Sequence, residues 1–161
     1  MADGASRCEL FSDFYAAEYG RLVGALRLVC APPADAEDLA QEAMVRACLH
    51  WKRVREMERP AGWLYATAFN LVRRSGRRRA PEALPLPPDS PPVERLDLVN
   101  ALRQLPLSQR TAVVLRYVLG YSTAEAAALL DLSPGALRAI LHRGCVALRL
   151  QPALHDMEPE P

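Results

Sequence analysis

Three groups of side chains in this chain are of types and spacings that could do chemistry. The first is the run RRSGRRR, Arg73–Arg79, which holds five arginines and no acid and follows a stretch containing Trp63, Tyr65, Phe69 and Asn70. Guanidinium groups neutralise phosphate and aromatic rings stack on unpaired bases, so the combination suits single-stranded or melted DNA. The second is Arg138, His142, Arg143 and Arg149, with no acidic residue between Ser133 and Arg149 and a local charge of +3. The third is acidic: Glu37, Asp38, Gln41 and Glu42. Carboxylates grouped in this way suit a protein partner with basic residues. Each group also has a plainer reading. Arginines favour the end of a helix for electrostatic reasons, Trp63 and Phe69 are of a core-forming type, and charged faces are commonly just solvated.

Catalytic arrangements are missing from the sequence. The histidines are His50, His142 and His155, and none belongs to an HExxH motif. There is no glycine-rich phosphate loop and no GxSxG. His142 and Cys145 are spaced to share a metal, but the C-terminal half offers only His155 beyond them. The expectation is a non-enzyme with no catalytic residue, no metal and no cofactor.

The elements that must position these groups are helical. Tyr15, Tyr19, Leu22, Leu26 and Val29 recur at helical spacing from about Glu9 to Val29, and Pro32 and Pro33 end the pattern. Asp35 is placed to cap a second helix through Trp51. In that helix Ala36, Leu39, Ala40, Ala43, Met44 and Ala47 share one arc, while Glu37, Asp38, Gln41 and Glu42 occupy the other. A third helix starts near Pro60 and runs through Trp63, Leu64, Tyr65, Ala68, Phe69 and Leu71 into the arginines.

Six of the 14 prolines lie between Pro81 and Pro92. Such a segment is extended and semi-stiff, because proline removes a donor and bars its predecessor from helical angles. The spacing beyond it predicts helices over Val93–Leu105, Ser108–Leu119 and Ser122–Leu130, then one from Ser133 to Leu150. Gly120 signals a helix end, Ser122 and Glu125 form a capping box, and Pro134 follows the cap Ser133. The last two helices, joined by a short turn, make a helix-turn-helix. The expected fold is all-α: two small helical domains joined by a Pro-rich linker, the second with the helix-turn-helix. The expected boundaries are 9–80, a linker at 81–93, 94–150, and a flexible tail at 151–161.

The whole chain has 161 residues, 20 basic and 19 acidic, for a net charge of +1. That excludes a uniformly basic nucleic-acid coat but not local patches. Only Lys52 among the basic residues is a lysine. Half of the residues are hydrophobic and 6% aromatic, so the core must be built mainly from Leu and Ala, both helix formers. No stretch approaches the roughly 20 apolar residues of a membrane span, and the N-terminus lacks the layout of a signal peptide. A cytoplasmic location follows as the expectation, with Cys8, Cys30, Cys48 and Cys145 as unbridged thiols.

These segments resemble the extracytoplasmic-function (ECF, group IV) bacterial RNA polymerase sigma factors. AEDLAQEAMVRACLHW (Ala36–Trp51) and RPAGWLYATAFNLVRRSGRRR (Arg59–Arg79) are similar to their second conserved region. Leu102–Arg149 is similar to their fourth. The most specific pieces are D-x-x-Q-E at Asp38–Glu42, W-L-Y-x-x-A-x-N at Trp63–Asn70, and L-P-x-x-Q-R at Leu105–Arg110 before the helix-turn-helix. The resemblance implies a protein that binds core RNA polymerase and directs promoter recognition, DNA melting and transcription initiation. By the same resemblance, Glu37, Asp38, Gln41 and Glu42 would dock on the polymerase. Trp63, Tyr65, Asn70, Arg73, Arg74 and Arg77 would meet minus-ten DNA, with the loop Val54–Gly62 capturing a flipped base. Ser133, Pro134, Gly135, Arg138, His142 and Arg143 would meet the minus-thirty-five element. The implied partners are core polymerase, promoter DNA and an anti-sigma factor, with no membrane insertion.

The pattern is departed from in the last helix, where Ala136, Ala139, Ile140 and Cys145 stand at positions that are commonly polar or basic in the family. Weakened or unusual reading of the upstream element is expected. Two competing readings stay open: a helix-turn-helix regulator that acts without polymerase, and a sigma-like adaptor that works through protein contacts with weakened promoter reading.

Overall fold

The structure, a computed structural model, describes residues 2–30, 34–76 and 93–151, with the side chains of 11–30, 36–75 and 98–151. The chain is all-α and divides into two units, Met1–Ala80 and Pro81–Pro161.

The first unit is a bundle of α1 (Ala2–Val29), α2 (Ala34–Leu49) and α4 (Pro60–Gly76), with the single turn α3 (Trp51–Val54) between the last two. α2 begins at Ala34, one residue ahead of the expected cap Asp35, whose side chain lies outside the described set. The predicted arc of α2 is buried: Ala36, Ala40, Ala43 and Ala47 are fully covered, with Leu39 and Met44 beside them. Small side chains on α2 leave room for large ones on its neighbours, Leu22 and Leu26 from α1 and Leu64 and Phe69 from α4. Trp51 closes one end, its ring 5.3 Å from Phe11 and 4.9 Å from Phe14.

In the second unit α5 (Val93–Gln104) ends at a break before Pro106, and α6 (Leu107–Val113) restarts the chain. Arg110 spans the break. Its Nη2 donates to the carbonyl oxygens of Arg103 at 3.1 Å and Leu105 at 2.9 Å. These are carbonyls that a helix C-terminus leaves without intrahelical partners. The arginine of L-P-x-x-Q-R therefore joins two helices.

The expected single helix Ser108–Leu119 is not uniform. It widens into a π turn over Val114–Val118, with the Leu119 N–H donating to the Val114 carbonyl at 3.0 Å. The wider turn keeps Val114 and Leu115 fully buried and carries Tyr117 and Val118 outside. Gly120 then takes φ +76°, the left-handed region where glycine carries no Cβ penalty.

α7 (Thr123–Leu129) opens with the full capping box. Ser122 Oγ accepts from the Glu125 N–H, and the Ser122 N–H donates to Glu125 Oε2 at 2.8 Å. Asp131 turns the chain at φ +56°. α8 (Pro134–Arg149) starts where Ser133 Oγ accepts the Ala136 N–H at 3.1 Å.

α8 packs on α6 and α7 through Leu137, Leu141 and Gly144. At Gly144 the approach is close. A Cβ there would stand 3.2 Å from Val113 Cγ2 and 3.4 Å from Gln109 Cβ. Val113 is β-branched and confined to one rotamer in a helix, so it cannot swing aside. Elsewhere in a helix, alanine is favoured over glycine by about 1 kcal/mol. At Gly144 overpacking, which costs about 1–3 kcal/mol, outweighs that gain. Gly144→Ala is therefore expected to lower the thermal midpoint by a few degrees. Gly24→Ala on α1, with nothing within 4 Å, should raise it. Thermal unfolding followed by circular dichroism reads both, and an unchanged or raised midpoint for Gly144→Ala would overturn the packing argument.

Candidate nucleic-acid interface and partner-binding face

α4 has two sides. Leu64, Tyr65, Ala68, Phe69, Leu71 and Val72 face the core. Trp63, Thr67, Asn70 and Arg74 follow each other at spacings of four, three and four, the period of one helix face. With Arg46 and His50 from α2 and the residue after it, they line an open cleft of about 260 Å³. Trp63 is half-buried and stands edge-on to His50, 6.2 Å between ring centroids. Thr67 Oγ1 donates to the Trp63 carbonyl at 2.8 Å, and Arg73 Nη2 donates to Asn70 Oδ1 at 3.0 Å. An indole wall, an amide and two guanidinium groups in one cleft offer stacking, hydrogen bonding and phosphate pairing together.

This geometry corrects one expectation. Tyr65 is 1% exposed, and its hydroxyl donates to Glu18 Oε2 across the bundle at 3.4 Å. Two residues along a helix from Trp63, it points to the opposite side, so it belongs to the core and presents no ring to DNA. Arg73 and Arg74 are exposed; Arg77 lies outside the described residues. The cleft residues Arg46, His50 and Thr67 escaped the sequence reading. The signal for Thr67 was available in its distance of four from Trp63. Arg46 and His50 are brought in only by tertiary packing.

α2 carries Glu37, Asp38, Gln41 and Glu42 exposed on the side away from its buried alanines. Glu37 is paired with Arg27 at 2.5 Å and Glu42 with Arg46 at 2.6 Å. All four side chains are about half-exposed, where an ion pair contributes roughly 0–1 kcal/mol. These carboxylates can therefore exchange their partners for those of another protein at small cost. Val45, Cys48 and Leu49 are exposed further along α2.

In the second unit Ser133, Pro134, Gly135, Arg138, His142 and Arg143 are all exposed along α8. Ala136 and Ala139 are exposed among them, and Ile140 is partly covered. A second cavity, on this unit, has a different lining. It has a volume of about 380 Å³, lies between α8 and the π turn and is lined in part by Arg116, Tyr117, Arg138 and His142.

Comparison with known proteins places both units. Residues 14–82 match sigma-70 region 2 and residues 95–148 match sigma-70 region 4. The chain is 35% identical over 159 residues to the RNA polymerase sigma factor CarQ of Myxococcus xanthus, covering 91% of this chain and 90% of that one. It is 35% identical over 140 residues to the ECF RNA polymerase sigma factor SigL of Mycobacterium tuberculosis, covering 78% of each. Among solved structures it is similar in fold to the sigma factor RpoE of Bartonella quintana, determined with the anti-sigma factor NepR. The TM-score is 0.75 at 20% identity, covering 92% of this chain and 98% of that one. CnrH, determined with the cytosolic domain of CnrY, gives a TM-score of 0.66 at 26% identity, covering 92% and 89%.

The two faces of α4 separate by mutation. Tyr65→Ala empties a core site and is expected to cost about 3–5 kcal/mol, as large-to-small aromatic substitutions do. Trp63→Ala, at the cleft wall, should cost less than half as much. Denaturant unfolding followed by circular dichroism distinguishes them, and equal losses would place both rings in the core.

Proposed function

The chain belongs to the extracytoplasmic-function group of RNA polymerase sigma factors, and from that premise we propose how its residues divide the work of promoter recognition, DNA melting and transcription initiation. The exposed face of α2 (Glu37, Asp38, Gln41, Glu42) docks on core polymerase. The cleft face of α4, with Trp63, Asn70, Arg73, Arg74 and the following Arg77, holds the opened minus-ten element, and the segment Val54–Gly62, from the end of α3 to the first turn of α4, borders the base that is turned out of the stack. α8, beginning at Ser133, meets upstream DNA. In this division residues 9–80 and 94–150 are the working domains and 81–93 connects them. An anti-sigma protein that covers the docking faces is the regulatory partner, in keeping with the complexes solved for similar proteins. The relatives are regulatory factors rather than classical enzymes; the chemistry of RNA synthesis belongs to the polymerase. Among the described residues no helix is long and apolar enough to cross a membrane, and the proposed location is the cytoplasm.

The observation that carries this reading is that one three-helix bundle presents an acidic face on α2 and a cationic, tryptophan-walled cleft beside α4. Arg46 touches both, pairing with Glu42 and lining the cleft. A regulator that only bound duplex DNA would have no use for the first face.

Purified protein is combined with core polymerase and assayed for initiation on the DNA upstream of its own gene. Initiation from one site is expected, and absence of any association with core at low salt would defeat the proposal. Asp38→Arg reverses a charge on the exposed face and should weaken core binding about tenfold or more, a loss of at least ~1.4 kcal/mol. The thermal midpoint should stay within a degree or two. Unchanged core binding would favour the polymerase-independent regulator instead.

A further inference from the structure

Glu42, Arg46 and His50 follow at intervals of four along α2 and the residue after it, and so share one edge. That edge joins the two faces of the first unit. At one end Glu42 belongs to the exposed acidic group. At the other, Arg46 and His50 line the cleft with Trp63, Thr67, Asn70 and Arg74 of α4. Between them Arg46 Nη2 donates to Glu42 Oε1 at 2.6 Å. No carboxylate lines the cleft itself. Its other guanidinium, Arg74, has no ion pair among the described residues.

Resting on the sigma-factor reading, we propose that Glu42 is a positioning residue that couples the two faces: it holds the Arg46 guanidinium until core polymerase takes its carboxylate, and Arg46 then pairs with a phosphate of the strand in the cleft. The argument is one of competition. A phosphate drawn to Arg46 while Glu42 is in place meets a second anion on the same cation, and like charges repel. Once a basic partner holds Glu42, the guanidinium is left to the phosphate, whose oxygens its planar fork fits. The cleft thus offers one uncommitted guanidinium, Arg74, before docking and two after it.

The strength of the pair suits this role. The Arg46 and Glu42 side chains are 40% and 50% exposed, and a pair in that setting shifts an equilibrium by up to about fivefold. That is enough to bias Arg46 and too little to lock it. The other pair on the acidic face lacks the same reach: Glu37 is held by Arg27 of α1, which does not line the cleft. Of the two paired carboxylates, only Glu42 connects docking to the cleft. Linkage makes the coupling reciprocal, so a strand held by Arg46 strengthens core binding by the same factor.

The test compares the full chain alone with holoenzyme, assembled with core polymerase in excess so that weakened docking is saturated. The probe is a labelled single strand carrying the minus-ten element, titrated at low salt and across a salt series. In the free chain Glu42→Gln should bind the strand about three- to fivefold tighter than the wild type. Its log–log salt slope should steepen by about 0.7, the increment of one phosphate contact on a single strand. The gain should vanish in Glu42→Gln/Arg46→Gln measured against Arg46→Gln. In holoenzyme Glu42→Gln should bring no gain, whereas Arg46→Gln should lose about three- to fivefold. Asp13→Asn, which removes an exposed carboxylate from α1, should change the free chain's affinity less than about twofold, since remote surface charges are screened. The proposal is overturned if free Glu42→Gln binds no tighter than the wild type, or if its gain persists without Arg46. It is overturned equally if Asp13→Asn matches the gain, which makes net charge the cause, or if the gain is as large in holoenzyme, where Glu42 then still holds Arg46. If the wild type does not bind core, it is the sigma-factor reading that fails, and the coupling falls with it.

Discussion

The alanine stripe of α2 is the constraint on which the first unit depends. Ala36, Ala40, Ala43 and Ala47 are fully buried, and their small volume leaves room for Leu22, Leu26, Leu64 and Phe69 from the flanking helices. With so narrow an apolar face committed to the core, the rest of α2 is left for charge. Glu37, Asp38, Gln41 and Glu42 therefore stand outward without any polar group having to be buried. The same packing sets α4 so that one side serves the core and the other carries Trp63, Asn70 and Arg74. A larger residue in the stripe would separate the helices and would move both functional faces together.

Much of this was legible from spacing, because helix periodicity reports directly on which residues share a face. The buried arc of α2, the capping box at Ser122 and Glu125, and the cap at Ser133 all follow from local rules, and the structure has them. What escaped was of two kinds. Tyr65 was grouped with Trp63 because both are aromatic and close in sequence, although two positions along a helix point to opposite sides. That error was one of composition overriding period. The π turn at Val114–Val118 has no such local signature: its residues are ordinary for a helix, and Val114 and Leu115 are buried within it. Arg46 and His50 join the cleft only because α2 lies against α4, which no single segment announces.

The second unit depends on the joint between α5 and α6 in a similar way. Pro106 ends one ladder of hydrogen bonds, and Arg110 restores partners to the carbonyls left behind. Buried carbonyls without partners would each cost about 1–3 kcal/mol, so a charged side chain reaching two of them is a cheap solution. Gly144 allows α8 to lie close on α6, which brings the edge of α8 up to the π turn. The cationic cleft is thus a product of two backbone features, a missing side chain and a widened turn, neither of which carries charge.

Net charge acquires its meaning from this arrangement. The chain's charge of +1 is the sum of +3 over residues 1–80 and −2 over residues 81–161. A unit with a negative sum seems ill suited to DNA, yet charges farther apart than about 10 Å are largely screened at 0.1 M salt. What a phosphate meets is the local group, and around α8 that group is cationic. At longer range the same unit exerts little attraction, so nothing steers it to DNA from a distance. The two signs of charge, which nearly cancel in the sum, stand on different faces, the carboxylates on the outward side of α2 and the guanidinium groups beside α4 and along α8.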